Sequence, residues 1–389
     1  KVHEIASHAL SNYEWCVNEL SVEFLPDAIG QEGGHSVPRY VTTKNGSGSG
    51  IVLKELEMVK KLGVPIRLRT YVDHIVRSQE NEGPVLGVVV HEGYRFPKAG
   101  SGKQKAIRAR KGVILCYGGF SADVKFRTFQ DPKLNATLDT TNQPGATSEL
   151  WRETSAIGCL QVQNDWIQCG PWGNPKEKGM GIGWEYNQTA AAEYGLWVNQ
   201  KGKRFVNELA NRKVRADAIV AIGHPVVMYA CAKNVFGQAV GKNMSKEMFD
   251  SLLKSGVVHE FKTLKDLAAF YKIPYDALVA ENDKFNGYMK AMNDPQFHTK
   301  FFKDGVPNTE ANGPFYAWRL WPRVHHCMGG LEINSKAQVL NTKGQVIKGL
   351  YAAGEVTGGI HGSNRLGGNA TADVLTFGRI AAKSALSAK

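Results

Sequence analysis

Apolar positions recur along this chain with two different periods, and the switches between them mark out its elements. Near the start, Ile5, Ala9, Tyr13, Cys16, Val17 and Leu20 fall at helical spacing and predict an amphipathic helix over residues 3–20. A second helix is predicted through Leu53, Leu56, Val59 and Leu62. Over residues 66–76, 85–90 and 106–110 apolar and polar residues tend to alternate, which predicts an antiparallel meander of three strands. Residues 113–117 and 350–353 are instead continuous apolar runs, the pattern of fully buried strands. Helical spacing returns in Ala372, Val374, Leu375, Phe377, Ile380 and Ala381. Helices and strands of these kinds over 389 residues make an α/β chain, too long for one ordinary core and so divided into two domains.

The glycines change this picture. Residues 349–370 read G-L-Y-A-A-G-E-V-T-G-G-I-H-G-S-N-R-L-G-G-N-A, a strand, a turn at Gly354, an acceptor at Glu355, and a glycine-rich loop around one cation, Arg365. So many glycines mean unusual dihedrals or a backbone pressed against a ligand. The helix that follows makes the loop's end a natural anion site. A second glycine run, at 46–50, fails as a dinucleotide fingerprint because residues 41–45 before it are not a buried strand.

The net charge of +12 suits anionic substrates and electron donors. Nucleic-acid binding is disfavoured, because no groove-reading motif accompanies the charge. No run of 18 apolar residues occurs, so no membrane-spanning helix is expected. The six cysteines form no C-x-x-C and no C-x-x-C-H, so neither a disulfide framework nor a c-type haem is expected. No metal site is expected, since the adjacent His325 and His326 lack a third ligand at useful spacing.

The segment 349–370 resembles the C-terminal signature of the fumarate reductase and succinate dehydrogenase flavoproteins. It is most similar to their soluble bacterial branch, the flavocytochrome c fumarate reductases and the urocanate and cinnamate-type reductases. Two further stretches carry the same resemblance: residues 201–212, K-G-K-R-F-V-N-E-L-A-N-R, and residues 324–330, V-H-H-C-M-G-G. The resemblance implies an FAD-binding, glutathione-reductase-like Rossmann domain with an inserted α+β capping domain. It implies non-covalent FAD, touched by Gly118, Gly119, Gly354, Glu355, Arg365, Gly367, Gly368, Asn369 and Ala370. It assigns Arg365 to clamp a substrate carboxylate, His325 to polarise it and Arg212 to deliver a proton, and puts His326 beside the substrate. Electrons would come from a separate cytochrome or flavin domain or protein, and the compartment implied is the bacterial periplasm. The expected layout is 1–164 as the first part of the FAD domain, 165–324 as the cap, and 325–389 as the FAD domain's C-terminal part. The family's opening strand, G-x-G-x-x-G turn and helix have no counterpart before Lys1, so the FAD domain is incomplete at its N-terminus and the biological molecule is expected to contain that unit.

Four departures from the family pattern bear on function. Tyr117 stands where relatives carry threonine before Gly118 and Gly119, and Ser148, Glu149 and Leu150 stand where they carry a flavin-contacting G-D-G. The segment 168–172, Q-C-G-P-W, puts Gly170 and Trp172 where fumarate reductases place a histidine and a threonine for a second carboxylate. The family's acidic relay residue and its arginine partner appear as Gln188 and Ala191, leaving Glu185, Glu193, Arg215 and Asp217 as candidate substitutes. Trp172, Trp184, Tyr186 and Tyr194 make that region aromatic. An aromatic wall suits a flat group, which favours an enoate of the urocanate or cinnamate kind over fumarate. A fumarate reductase with a rearranged carboxylate site, a flavin-free binding or scaffolding remnant, and a dehydrogenase or oxidase of the same fold are the rivals.

Overall fold

The computed structural model describes the chain apart from residues 32, 187–191, 240–243 and 389, and gives the backbone alone at 27, 28, 185, 238 and 239. The chain forms two compact units: Lys1–Gln130, Gly145–Ile167 and His326–Lys389 make the first, and Asp131–Pro144 with Gln168–His325 the second. Residues 131–144, expected in the first part of the FAD domain, group with the second unit.

In the first unit the strand Val346–Ala352 lies in the middle of a three-stranded sheet, parallel to Val113–Leu115 and antiparallel to Gln338–Leu340. Leu350, Tyr351 and Ala352 are buried, as their unbroken apolar run predicts. The predicted strand over 113–117 is shorter than expected, because Gly118, at φ +79°, turns the chain soon after Leu115. The helix Asn369–Ser387 buries Phe377, Ala381 and Ala385 in the same core as Leu350 and Leu115. The meander forms with Thr70–Gln79, Glu82–Glu92 and Lys103–Arg108 in consecutive antiparallel pairing. Glu153, on the helix Glu149–Ala156, ties that helix to the meander by accepting from the Ile75 N–H at 2.8 Å and meeting His74 at 2.5 Å.

The first helix, Val2–Asn18, leaves Tyr13 and Val17 exposed although both lie in its predicted apolar stripe. Cys16 is buried with Leu20 and Ile51, and polar groups add to the hold. Asn12 donates to Thr376 Oγ1 at 2.7 Å, and Arg379 donates to Asn12 Oδ1 at 2.8 Å while its guanidinium lies 5.4 Å from the Trp15 ring centre. The glycine run at 46–50 leads from the strand Tyr40–Thr43 into the helix Ser49–Lys61. That strand pairs antiparallel with Phe24–Gly30 in a two-stranded ribbon, so a Rossmann turn is absent there for a topological reason.

The second unit is built on a four-stranded antiparallel sheet in the order Val258–Phe261, Phe315–Leu320, Val226–Cys231, Leu196–Val198. Side chains alternate between its faces. Met228, Trp197 and Trp318 pack with Ile219, Phe249 and Leu252 from the helices Arg212–Ile222 and Lys246–Lys254. Val227, Tyr229 and Phe315 pack with Leu267, Leu278 and Phe285 from Leu264–Tyr271 and Tyr275–Ala291. All six residues 226–231 are buried because helices cover both faces.

One buried charge cluster braces this unit. Arg204 holds Glu208 by two hydrogen bonds of 2.8 and 2.7 Å and Asp294 by one of 2.9 Å, with the rings of Phe285 and Phe297 about its guanidinium. Burial opposes ionisation of Asp294, but the bond and charge of Arg204 outweigh it and bring the carboxyl down to about 2. Substituting Arg204 strands two buried carboxylates, so Arg204→Met should lower unfolding free energy by about 3–5 kcal/mol in a urea titration. Asp294 contributes fully above its unfolded value near 4. That contribution should fade as pH falls from there through about 2.

Candidate functional site

In the first unit, Gly354 at φ +82° takes the left-handed conformation that lets the buried strand turn at once. The turn delivers Glu355. Its Oε1 accepts the Cys327 N–H at 2.8 Å, and its Oε2 lies 3.6 Å from His326 Nδ1. Burial pushes this carboxyl up to about 7, against the pull of the Cys327 N–H and of Arg365 and with a smaller push from Asp373. Arg365 is buried, and its Nη1 donates to the Leu366 carbonyl at 3.2 Å. A side chain on Gly119 would run into the Glu355 carboxylate and lie 3.0 Å from Cys327 Sγ, so bare backbone is required there. His35 Nε2 lies 3.0 Å from the Gly367 carbonyl and fixes the loop just before Gly368, Asn369 and Ala370 open the helix. A groove of about 860 Å³ is lined by Tyr13, Tyr40, His361, Leu366, Gly368 and Asn369, among others.

Two residues missed in the sequence belong to this cluster. Asp373 Oδ2 lies 3.0 Å from His361 Nε2, both side chains buried, and the His361 ring packs edge-on against His326 at 5.4 Å between centres. Asp373 follows Ala372 in the helical apolar spacing of 372–381, where an acid is out of pattern, and it is buried while Val374 beside it is exposed. Tyr117, the departure before Gly118, sets its hydroxyl 3.3 Å from Thr154 Oγ1 and its ring edge-on to Trp151. Ser148, in the place of the G-D-G motif, is buried and donates to Asp123 Oδ2 at 2.5 Å.

In the second unit, Arg212 is the first residue of the helix Arg212–Ile222, whose N-cap Asn211 accepts from the Val214 N–H at 3.1 Å. The Arg212 guanidinium lies 4.9 Å from the Trp172 ring centre. Trp172 is 3% exposed, donates its indole N–H to Met180 Sδ at 3.4 Å, and meets the His325 ring edge-on at 5.1 Å. His325 Nδ1 is 2.7 Å from Thr141 Oγ1, and its carbonyl accepts from Asn142 at 3.1 Å. A Cβ on Gly170 would stand 2.6 Å from Trp172 Cζ2. Glycine at 170 and tryptophan at 172 are thus one packing solution: the indole occupies the space that a side chain at 170 needs.

The other sequence candidates separate. Neighbours on a strand point to opposite faces, so His325 joins Thr141 and Trp172, while His326 joins Glu355 and His361. His326, assigned to the substrate from sequence, is thereby placed in the Glu355 cluster. Tyr186, assigned likewise, is fully buried in the core and donates to the Tyr316 carbonyl. Trp184, at the start of the short helix Trp184–Tyr186, keeps some exposure. Gln188 and Ala191 lie outside the described residues, as does the side chain of Glu185. Arg215 is buried, donates to the Glu208 carbonyl and packs over Trp197, and Asp217 pairs with Lys213 at 2.6 Å on the solvent side. Glu193 is pushed up to about 7 by burial and by the charge of Asp304.

Among the described residues no group of three histidines, cysteines or acids could hold a metal ion, and no helix is long and apolar enough to cross a membrane. Residues 19–371 match the family model described as FAD binding domain. The chain is 37% identical to the "Acrylate reductase flavoprotein subunit" of Shewanella woodyi, over 98% of the chain and 74% of that relative. It is 32% identical to the "Fumarate reductase (cytochrome)" of Shewanella frigidimarina, over 99% of the chain and 62% of that relative. Among solved structures it is similar to the open conformation of a flavocytochrome c3 fumarate reductase, with a TM-score of 0.75 at 28% identity over 99% of the chain and 63% of that protein. The chain thus spans three-fifths to three-quarters of the length of these relatives.

The interlocking of Gly170 and Trp172 makes a direct test. Gly170→Ala should lower stability by about 1–3 kcal/mol through overpacking. Trp172→Ala should cost about 3–5 kcal/mol on its own, and the double variant should lose less than the sum of the two single losses in thermal or urea unfolding.

Proposed function

Because the chain belongs to the family of FAD-binding flavoproteins that includes fumarate and acrylate reductases, we propose that it reduces the carbon–carbon double bond of an α,β-unsaturated monocarboxylate with a small β end, acrylate or a near relative. FAD is the cofactor of this family, and the residues of the first unit fit it. Gly119 leaves backbone bare beside Glu355, the turn at Gly354 presents that carboxyl, and the loop before Asn369 ends at a helix N-terminus suited to an anionic or polar group. Gly118, Gly119, Gly354, Glu355 and the stretch 367–370 would hold it. When bound, the flavin supplies the hydride equivalent. A flavin-free remnant would be colourless and indifferent to added FAD.

The protein's own groups supply orientation and charge. Arg365 would clamp the carboxylate with its planar fork, the geometry a carboxylate prefers. His325, steadied at Nδ1 by Thr141, would donate toward the same carboxylate as enolate charge develops. Arg212 would return the proton to carbon. Electrons would come from a separate cytochrome or flavin domain or protein, and the periplasm is the compartment that accords with the bacterial relatives.

The observation that carries the substrate reading is Trp172. The aromatic residues that suggested a wall for an aryl group are engaged in packing: Trp172 is buried between Arg212 and His325, and Tyr186 is core. A filled space beside Gly170 disfavours a second carboxylate and equally a large planar group. Urocanate- or cinnamate-like substrates form the second reading, supported by the part-exposed Trp184. Fumarate reduction would require another partner for the second carboxylate.

The test is anaerobic oxidation of reduced methyl viologen by the full-length flavin-loaded protein, with acrylate, urocanate, cinnamate and fumarate offered in parallel. Acrylate should give the highest kcat/KM. Preference for cinnamate or urocanate would establish the second reading, and preference for fumarate would sink both. Arg365→Lys should lower kcat/KM roughly 10²–10³-fold, as loss of a fixed donor to developing charge does.

A further inference from the structure

In the second unit, the loop that follows Trp172 is strapped by a buried cation that the proposed reaction does not use. Arg323 is 3% exposed, and its guanidinium donates to three carbonyls of that loop: Asn174 at 2.6 Å, Glu177 and Gly179. A Cβ on Gly173 would stand 2.4 Å from Arg323 Nε, so the guanidinium lies directly against the loop's backbone. The loop is also closed on itself. Glu177 Oε1 accepts the Ile182 and Gly183 N–H groups at 2.8 and 3.1 Å, and the Gly173 carbonyl accepts the Trp321 N–H at 2.9 Å. A buried cation is costly unless its donors are filled, so the loop is tied to the place where its carbonyls reach Arg323.

What the strap delivers is Met180. It follows Gly179, whose carbonyl is one of the three, and it is half-buried with its Sδ 3.4 Å from the Trp172 indole nitrogen. The indole has a single donor, and in a buried ring that donor is costly to leave unmet. The sulfur therefore fixes how the indole is turned, with Arg212 at 4.9 Å from its ring centre and the His325 ring edge-on at 5.1 Å. Arg323 and His325 stand two apart on the strand Arg323–Cys327 and so share a face. The strap and the histidine that would polarise the carboxylate thus come from one piece of backbone.

We propose that Met180 is a specificity-determining residue: held by the Arg323 strap, its sulfur pins the Trp172 indole across the place where an enoate's β substituent would extend, and so confines the site to small β ends. Arg323 is a positioning residue that acts through Met180. Released from the sulfur, the indole is free to turn about its side-chain bonds, and room opens for a planar β substituent. The inference rests on the reading of Trp172 as the limit of the substrate's β end.

The experiment uses the full-length, flavin-loaded protein with reduced methyl viologen. The ratio of kcat/KM for cinnamate to that for acrylate is compared in the wild type, Met180→Leu, Met180→Gln, Trp172→Phe and the double variant Met180→Leu with Trp172→Phe. Hydrogen exchange of the Trp172 indole N–H, identified by its loss in Trp172→Phe, is followed in the same proteins. Met180→Leu keeps the bulk and removes the acceptor. It should raise the ratio roughly fivefold to tenfold, as loss of one buried hydrogen bond does, mainly through a lower KM for cinnamate, and should speed exchange of the indole N–H. Met180→Gln, whose amide oxygen accepts from the same N–H, should stay near the wild type in both. With Trp172→Phe there is no N–H to hold, so Met180→Leu should change the ratio no further. Arg323→Lys keeps the charge but loses the planar fork, and should shift the ratio in the direction of Met180→Leu. If it does not fold, the Met180 variants carry the decision. A wild type that prefers acrylate, with ratio and exchange unchanged in Met180→Leu, would overturn the proposal and leave the substrate reading standing, even if that variant melts earlier. A wild type that prefers cinnamate, or reduces neither, would overturn both.

Discussion

The parallel pairing of Val346–Ala352 with Val113–Leu115 is the constraint on which the first unit depends. It joins chain segments far apart in sequence, and it ends where both strands must stop: at Gly118 on one and Gly354 on the other. The last three residues of the strand, Leu350, Tyr351 and Ala352, are all buried and carry no charge, so its chemistry appears after the turn. Glu355 is that first polar residue, and its position follows from the strand's own ending. The carboxyl is held by the Cys327 N–H from a further segment, which makes the site a junction of backbone ends.

The second unit solves a different problem. Its sheet is sandwiched by helices, and its buried cation Arg204 is matched by two carboxylates and two aromatic rings. That cluster braces the segment leading into the helix Arg212–Ile222, at whose first residue Arg212 sits. Arg204 is engaged in structure, because two carboxyls hold its guanidinium at hydrogen-bond distance. Arg365 instead lies near the Glu355 carboxyl, which burial pushes up to about 7 against the pull of that guanidinium.

Gly170 and Trp172 show how a pocket changes character by exchange of volume. Neither residue is informative alone, since glycines and buried tryptophans occur throughout the chain. Together they place an indole where a side chain at 170 would project. The cation–π contact with Arg212 and the edge contact with His325 then follow from where that indole comes to rest.

The α/β class, the meander, the two buried strands and the glycine-rich loop are legible along the chain, because each depends on local periodicity or on a residue type with few alternatives. It also singled out Glu355, Arg365, Arg212 and His325, since their motifs are long and unbroken. Which side chains share a neighbourhood emerges only from the folded chain. That His325 and His326 part company follows from strand alternation once the strand exists. That Tyr186 is core, and that Trp172 lies over Gly170, depends on packing between segments no periodicity connects. The row from Asp373 to Glu355 joins three distant segments, and a hydrogen bond across such distances leaves no period in the chain. Local pattern records the energetics of neighbours along the backbone; the site's electrostatics belong to neighbours in space.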